Sequence, residues 1–337
     1  MMGDYLYSDL VQVTQDPGDL DSGGTWFVTQ TFEGAFQGFQ FAKRQRLVDV
    51  ALDTSFFAPK LGSWTTSMSR NEYVNAVQSI RQDIARGWVY QVNLCRVLST
   101  PVSDDYDVFG LYLKLVADNP APHASAVYIP AADNSGHEIA IASASPELFL
   151  ARAGQVVTTS PIKGTASQSE HMLAKDSAEN IMIVDLMRND LSQICEPGSV
   201  TVPELLRTEQ HPGLVHLVSD VSGVLRDDIG WSHIFSYLCP PGSVSGAPKS
   251  SALEVISRLE PHTRGIYCGV LGVVDGDRHT AQLAVGIRTF WLSSDAEYRQ
   301  LNFGTGAGIT WGSDPELEWQ ETELKAHRLL RIASEVS

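Results

Sequence analysis

The amino-acid sequence predicts an α+β fold. Strand patterns occur in consecutive runs that single helices interrupt, and strict β-α-β alternation is absent. The chain has 337 residues, of which 43% are hydrophobic, as expected of a globular protein with a large buried core. No segment has the composition of a linker or an internal repeat, so we expect one interleaved domain.

The first 60 residues are turn-rich, and two segments within them are predicted to form hairpin strands. The turn-rich stretch DPGDLDSGGT precedes TWFVTQTFEG and FQGFQFA, in which apolar and polar residues alternate. A helix should follow, because Ser69 and Glu72 have the spacing of a capping box and Gly87 is a typical helix end.

Further strands are predicted in the middle of the chain, in WVYQVNLCRVLS, HASAVYIP, HEIAIAS, ELFLAR and QVVTTS. The last strand leads into TTSPIKGTAS, where Ser160 and Pro161 end the strand and Gly164 indicates a turn. A lysine in a surface turn is normally only solvated. We therefore assign Lys163 a function only if other segments of the chain indicate one.

The second half of the chain mixes helices with strands. Helices are predicted in KDSAENIMIVDLMRNDLSQI and at residues 231–238 and 248–259; strands are predicted in GLVHLVSDVSGVLR, GVLGVVDG, HTAQLAVGIRTFWL and RQLNFGTGAGITW. The final helix, DPELEWQETELKAHRLLRI, has Asp314 at its N-cap and Pro315 at its first position.

Charge and cysteine content exclude several classes of protein. A net charge of −16 and a pI near 4.9 argue against nucleic acid or an anionic membrane as partner. No apolar run reaches the roughly 18 residues of a membrane span, and the N-terminus lacks a signal-peptide pattern. The four cysteines form no CxxC motif, which favours reduced thiols in a cytoplasmic protein over disulfides or a zinc site.

Two acidic pairs are candidate metal ligands. Asp176 and Glu179 are three residues apart on one helix, and Glu318 and Glu321 repeat that spacing on the last helix, so each pair projects from one face. Carboxylates placed together suit Mg²⁺. Acidic residues are also favoured in any first helical turn by the helix dipole, so the spacing alone leaves both interpretations open.

Other segments carry weaker signals. GSVSGAPKSS is not a P-loop, because Ala and Pro precede Lys249, but a glycine-rich loop opening a helix can present N–H groups to an anion such as a carboxylate. The glycines of FGTGAGITWG indicate a strand whose backbone is closely approached by another segment or by a ligand. Arg288 lies in an apolar strand and needs a carboxylate from the protein or from a ligand. His216 has the default interpretation of a hydrogen-bonded core histidine.

Taken together, ten segments resemble the chorismate-utilising enzymes. In chain order they are YQVNLCR, SASPELFL, SPIKGT, AENIMIVDLMRNDL, VHLVSDVSGVL, PPGSVSGAPK, GIYCGVLG, AVGIRTF, GTGAGI and EWQETELK. The resemblance implies two large, mostly antiparallel sheets packed together and flanked by helices. It also implies that residues 1–68 form a shortened N-terminal β-rich part and residues 69–337 the chorismate-binding catalytic region.

Lys163 separates the branches of this family. Anthranilate synthases usually have alanine between PI and GT, whereas aminodeoxychorismate synthase component I typically has lysine, as here. Isochorismate-type members carry an activating lysine in the strand YQVNL, where this chain has Gln91. The sequence therefore resembles aminodeoxychorismate synthase component I. Anthranilate synthase component I is the alternative, and a non-catalytic chorismate-binding subunit is the second alternative.

The resemblance implies a role for each candidate residue. Lys163 would attack C2 of chorismate, and Glu147 would protonate the departing C4 hydroxyl, so Glu147 must be held protonated while Lys163 loses its proton. Ammonia would then displace the lysine to give 4-amino-4-deoxychorismate for para-aminobenzoate and folate synthesis. The implied substrate-binding residues are His216, Ser243, Tyr267, Arg288, Gly306 and Lys325.

The resemblance also implies a cofactor and partners. Glu179 and Glu321 match direct Mg²⁺ ligands, and Asp176 and Glu318 match water-mediated support. Because the chain has no Cys-His-Glu amidotransferase signature, ammonia is expected to come from a separate glutaminase subunit.

Overall fold

The computed structural model describes residues 1–50, 61–166, 174–211, 214–294 and 299–334, and within them the α+β class is confirmed. The strands are β1 Tyr5–Thr14, β2 Thr25–Gln30, β3 Phe36–Arg46, β4 Thr65–Thr66, β5 Gln91–Pro101, β6 Ser125–Ile129, β7 Ile139–Ser143, β8 Leu148–Ala153, β9 Val156–Ser160, β10 Ile162–Ala166, β11 Thr201–His211, β12 Leu214–Val224, β13 Gly246–Ala247, β14 Val270–Asp275, β15 Thr280–Val285, β16 Thr289–Ser294 and β17 Arg299–Ile309. The helices are α1 Arg70–Ala85, α2 Val108–Asp118, α3 Ala174–Ser192, α4 Trp231–Leu238, α5 Lys249–Leu259 and α6 Pro315–Ser334.

The strands form two antiparallel sheets, as the sequence predicts. The larger sheet has the order β1-β3-β2-β14-β15-β8-β9-β12-β10, with β11 paired to β12. The smaller sheet has the order β13-β5-β17-β16-β7-β6, with β4 paired to β5. A shared apolar cluster joins the two faces, because Phe27, Phe39 and Leu271 of the larger sheet pack with Val127 and Ile141 of the smaller one.

Helices cover the remaining apolar faces of the sheets. Helix α3 lies against β10 and β12, and α6 lies against β17, α1 and α2. Helices α3 and α4 share a core cluster with the larger sheet. It includes Ile183 and Met187 of α3, Trp231 of α4 and Val221 of β12. None of the helices in the described ranges combines the length and apolarity needed to span a membrane.

Local helix signals in the sequence are confirmed at both ends of the chain. The Ser69 side chain accepts the N–H of Glu72, and the Glu72 carboxylate accepts the N–H of Ser69, which completes the capping box of α1. At α6, Asp314 Oδ1 accepts the N–H groups of Glu316 and Leu317 at 3.0 Å.

The structure corrects several boundaries. Apart from β10, five of these strands and helices were not predicted: β1, α2, β11 and the two-residue strands β4 and β13. The turn predicted after Pro161 is instead strand β10. The single strand predicted at residues 279–292 is two, β15 and β16, because the chain bends at Arg288, whose φ of 52° lies in the left-handed region.

Candidate active site

Lys163 lies on β10 and not on a surface turn. The register between β10 and β12 shifts between Ile162 and Thr165, so Lys163 and Gly164 form the irregular part of the strand. Bulges re-aim side chains and are frequent beside active sites. The half-buried Lys163 points toward the segment between α4 and α5, where its Nζ donates to the carbonyl oxygen of Ser243 at 3.1 Å.

The Ser243 segment is a tight turn, Gly242–Val244, packed against α3. A Cβ at Gly242 would lie 2.6 Å from Met187 Cε and 3.0 Å from Asp190 Oδ2, so these side chains of α3 would have to move to admit one. Next to this contact, Lys249 Nζ lies 2.8 Å from Asp190 Oδ2 and ties the start of α5 to α3. Ser243 is therefore held on a short, closely packed turn and is only 4% exposed.

Glu147 completes a group of three with Lys163 and Ser243. It lies between β7 and β8, is 4% exposed, and its carbonyl oxygen accepts the N–H of Val285. Burial raises the pKa of the Glu147 carboxyl, while the positive charge of Lys163 and the nearby Ser243 hydroxyl lower it. A carboxyl in this environment can be held protonated and can donate a proton to a leaving group.

Arg288 lies at the bend between β15 and β16. Its positive φ is unusual for a residue with a side chain, and such strained positions concentrate at functional sites. Within the described part of the chain, no carboxylate forms an ion pair with Arg288 and no side-chain hydrogen bond reaches it. Burial lowers the pKa of the Arg288 guanidinium, and the charge of Arg328 lowers it further. An anionic ligand would supply the missing counter-charge.

Tyr267, Gly306 and Lys325 lie around strand β17. The Tyr267 ring covers Gly304, where any Cβ would overlap it, and burial raises the pKa of the Tyr267 hydroxyl well above its usual range. Lys325 Nζ donates to the carbonyl oxygen of Gly306 at 3.0 Å and also lies 2.6 Å from Glu321 Oε1. Lys325 therefore links the glycine-rich strand to the acidic face of α6.

The predicted metal ligands lie on α3 and α6. Glu318 is 6% exposed, Glu321 is exposed and Glu179 is half-buried, while the side chain of Asp176 lies outside the described residues. The negative charges of Glu318 and Glu321 both contribute to raising the pKa of Tyr73, so the two carboxylates approach the same ring. Oxygen donors of this kind fit Mg²⁺, which keeps several of its own waters. The described residues contain no group of three or more such donors, so the metal site remains a prediction.

The structure places only the backbone of His216. That residue pairs with Thr165 of β10 and with Glu209 of β11, which puts it beside the strand of Lys163. Its side chain lies outside the described residues, so its role in the pocket stays a prediction.

Sequence analysis did not detect two buried groups beside Tyr267. Cys95 and Cys268 approach to 4.0 Å between sulfur atoms, although they are far apart in the chain. Arg264 and Glu260 form an ion pair whose side chains are 1% and 2% exposed. The signal for the second group was present in EPHTRGIYCG, where two opposite charges four residues apart precede an apolar strand.

With this geometry in hand, comparison with known proteins identifies the family. Residues 39–331 match the chorismate binding enzyme family, and the chain belongs to it. The match spans most of the chain and includes the segments of Glu147, Lys163, Ser243 and Arg288.

Relatives carry two different names at similar identity. Aminodeoxychorismate synthase component 1 of Salmonella typhimurium is 36% identical over 80% of this chain and 59% of the relative. Its Escherichia coli counterpart is 34% identical over 83% of this chain and 62% of the relative. Anthranilate synthase component 1 of Saccharolobus solfataricus is 35% identical over 80% of this chain and 64% of the relative. The chain thus spans about three fifths of the length of these relatives.

Solved structures confirm the fold that the sequence predicts. Anthranilate synthase component I from Streptococcus pneumoniae has a TM-score of 0.81 at 22% identity, covering 97% of this chain and 92% of that chain. The menaquinone-specific isochorismate synthase MenF of Escherichia coli has a TM-score of 0.80 at 18% identity, covering 98% of this chain and 86% of that chain.

Proposed function

We propose that the chain aminates chorismate at C4 with ammonia to give 4-amino-4-deoxychorismate, through a covalent adduct on Lys163. One observation carries the proposal: a half-buried lysine amine lies 3.1 Å from the Ser243 carbonyl, beside a buried carboxyl whose pKa burial raises. This arrangement supports Lys163 as the nucleophile and Glu147 as the general acid of the proposed reaction.

The proposed reaction proceeds in two displacements. The neutral amine of Lys163 forms a bond to C2 of chorismate, the two ring double bonds shift, and the C4–O bond breaks, so that the hydroxyl leaves as water with a proton from Glu147. Ammonia then bonds to C4, the two double bonds shift back, and the C2–N bond to Lys163 breaks. The new ammonium at C4 returns one proton to the Glu147 carboxylate. The sum is chorismate plus ammonia giving 4-amino-4-deoxychorismate plus water. Covalent catalysis of this kind replaces one difficult substitution by two easier ones.

Two groups in the pocket support binding of a dianionic substrate. Arg288 is a partly buried guanidinium that no described carboxylate neutralises, so a substrate carboxylate can pair with it. Lys325 lies at the carbonyl of Gly306 and can serve the same carboxylate. These local positive charges offset the repulsion expected from a chain of net charge −16.

Magnesium would complete the site. Glu179 and Glu321 would hold the ion, with Asp176 and Glu318 supporting it through water. When bound, Mg²⁺ would neutralise the ring carboxylate of chorismate and withdraw electron density from the ring. The residues of the chain would still carry out the proton transfers.

The chain supplies no glutaminase chemistry of its own in this proposal. Cys95, Cys195 and Cys268 are buried, and burial raises the pKa of the Cys195 thiol to about 11. A buried thiol of that kind is a poor nucleophile. We propose that a separate glutaminase subunit delivers ammonia.

The decisive experiment incubates the purified chain with chorismate, Mg²⁺ and an ammonium salt at alkaline pH, and analyses products by liquid chromatography and mass spectrometry. We expect 4-amino-4-deoxychorismate, which an added aminodeoxychorismate lyase converts to para-aminobenzoate and pyruvate. Anthranilate with pyruvate, formed without the lyase, would instead establish the anthranilate synthase alternative. Chorismate binding without turnover would point to the non-catalytic subunit.

Omitting ammonia tests the covalent step. Lys163 should then hold a chorismate-derived mass on its peptide, and Lys163→Ala should not. Glutamine should serve as nitrogen source only after a glutaminase partner is added. Glutamine-dependent product from this chain alone would contradict that part of the proposal.

A further inference from the structure

The buried Arg264–Glu260 pair lies directly behind the Ser243 segment. Arg264 Nε donates to Glu260 Oε2 at 2.8 Å, and Arg264 Nη2 donates to Glu260 Oε1 at 2.7 Å. Both side chains are almost fully buried. The ion pair does not use the whole guanidinium of Arg264, because a bidentate contact occupies only some of its five N–H donors.

The remaining donors of Arg264 reach the backbone of two segments, the Ser243 turn and β5. Nη1 donates to the carbonyl oxygen of Val244 at 3.0 Å, and Nη2 donates to that of Asn93 at 2.7 Å. The N–H of Asn93 donates in turn to the carbonyl oxygen of Ser245 at 2.9 Å. A closed ring of hydrogen bonds therefore runs from Arg264 through the Ser243 turn and β5 and back to Arg264.

The same pair connects to the glycine-rich strand β17 through β5. Glu260 Oε1 accepts the N–H of Cys95 at 2.8 Å, and Cys95 faces Gly306 in the pairing of β5 with β17. The N–H of Tyr267 donates to the carbonyl oxygen of Arg264 at 3.2 Å. Displacing the guanidinium would thus act on the Ser243 turn through Val244 and, through Glu260, on Cys95 opposite Gly306.

We infer that Arg264 and Glu260 are positioning residues, which fix the Ser243 turn at the distance where its carbonyl receives the Lys163 amine and its hydroxyl meets Glu147. The inference rests on the proposed function for its kinetic consequence. Neither residue touches the reacting atoms. Their effect is on the placement of the turn, and a misplacement of about 1 Å lowers a catalysed rate about a hundredfold.

The test compares two arginine-to-lysine variants of matched geometry. Arg264→Lys keeps a positive charge beside Glu260, but an ammonium cannot reproduce the planar fork that reaches three partners. Arg299→Lys is the control: Arg299 also binds a glutamate through Nε and Nη2, Glu138, at 3.1 and 2.7 Å, and it also donates to backbone carbonyls. Arg299 contacts Ser103 and not the Ser243 turn.

We expect both variants to fold and to lose similar amounts of thermal stability. Only Arg264→Lys should lower kcat, by about a hundredfold, while the KM for chorismate changes little. Its pH–rate profile should also shift: with the Ser243 hydroxyl displaced, Glu147 loses an interaction that lowers its pKa, so its protonated form should persist to higher pH. Equal kcat values in the two variants would show that Arg264 is only structural.

A second readout does not depend on turnover. Acetic anhydride labelling, with each lysine followed by mass spectrometry, reports how accessible the Lys163 amine is in the absence of substrate. Lys163 should label several times faster in Arg264→Lys than in the parent, relative to the exposed Lys43. Unchanged labelling would overturn the positioning role. If the parent makes no aminodeoxychorismate, the proposed function fails, but this labelling comparison still decides the inference.

Discussion

Two lysine–carboxylate couples lie on either side of the Ser243 turn, and they are built differently. Lys249 and Asp190 form a direct ion pair at 2.8 Å, with side chains 18% and 11% exposed. Within the described residues no direct ion pair joins Lys163 to Glu147, although the charge of Lys163 acts on Glu147 and Lys163 donates to the Ser243 carbonyl. Burial raises the pKa of both carboxyls.

This difference distinguishes charged groups that only stabilise the fold from charged groups that can act on a ligand. The Lys249–Asp190 pair is closed, so neither charge is available to a ligand. The Lys163–Glu147 couple is open, so its amine can attack and its carboxyl can donate. The arginines repeat the contrast, because Arg264 binds a carboxylate and two carbonyls whereas Arg288 has no such partner among the described residues. Substrate is expected at the open groups.

The largest expected effect follows removal of the reactive lysine. Lys163→Ala should lower aminodeoxychorismate formation by about three orders of magnitude or more, because it removes the proposed nucleophile. It should leave stability within about 1 kcal/mol, since a half-buried lysine with no ion pair among the described residues contributes little. The variant also leaves space for ammonia to attack C2 directly, so traces of the 2-amino product or anthranilate are expected by mass spectrometry.

Lys249→Ala is the matched control for that variant. It should cost about 3 kcal/mol of unfolding free energy, measured by denaturant titration, because Asp190 loses its buried partner. It should still form the chorismate adduct on Lys163. The contrast between the couples fails if Lys163→Ala makes 4-amino-4-deoxychorismate at the parental rate.

The next effect concerns the carboxylates predicted to hold Mg²⁺. Glu321→Gln and Glu179→Gln should each raise the Mg²⁺ concentration needed for chorismate binding by about one to two orders of magnitude, because a hard cation prefers charged oxygen ligands. Calorimetric titration of chorismate at several Mg²⁺ concentrations measures this without turnover. Glu323→Gln is the control on the same helix, since Glu323 is engaged by Arg96. Identical Mg²⁺ dependence in all three variants would remove the metal from the site.

Substituting either of the two arginines should have a smaller effect. For Arg288 we expect it on substrate binding, and for Arg264 on stability. Arg288→Met should raise the KM for chorismate about 10- to 100-fold, the value of one or two charge-assisted hydrogen bonds. It should not destabilise the substrate-free protein, because the lost guanidinium has no described carboxylate partner. Arg264→Met should instead cost about 3–5 kcal/mol by leaving Glu260 charged and buried. Thermal melts with and without chorismate distinguish the two; equal destabilisation would show that Arg288 is also structural.

Helix ends were predictable from sequence because their determinants are local. Ser69 with Glu72 at α1 and Asp314 at α6 act within one turn of the residues they cap. Strand β1 was missed because its partner β3 lies across a turn-rich segment and supplies the pairing. The break at Arg288 was missed because it depends on packing and not on the apolar pattern of residues 279–292.

The site was predictable only through family resemblance. Lys163 and Ser243 are 80 residues apart, and no periodicity indicates that their atoms meet. Glu147 looks like an ordinary strand-end residue until its burial is known. The Arg264–Glu260 pair escaped notice because only the fold shows which carbonyls its remaining donors reach.

The smallest effect concerns the stability of the two carboxyls as pH changes. A carboxyl whose folded-state pKa is raised contributes its stability below the unfolded value, about 4.3 for glutamate, and loses it as pH rises through the folded value. Burial raises the pKa of Glu147, so Glu147→Gln, which cannot ionise, should gain melting temperature relative to the parent as pH rises from about 4 and then level off.

Asp190→Asn should show the same direction, because burial raises the pKa of Asp190 as well. Only Glu147→Gln should also lose product formation, since in the proposed mechanism Glu147 gives the departing hydroxyl its proton. Melting curves between pH 4 and about pH 9, run with rate measurements on both variants, check this. A Glu147→Gln protein whose stability relative to the parent is the same at every pH would show that Glu147 is not held protonated by its burial.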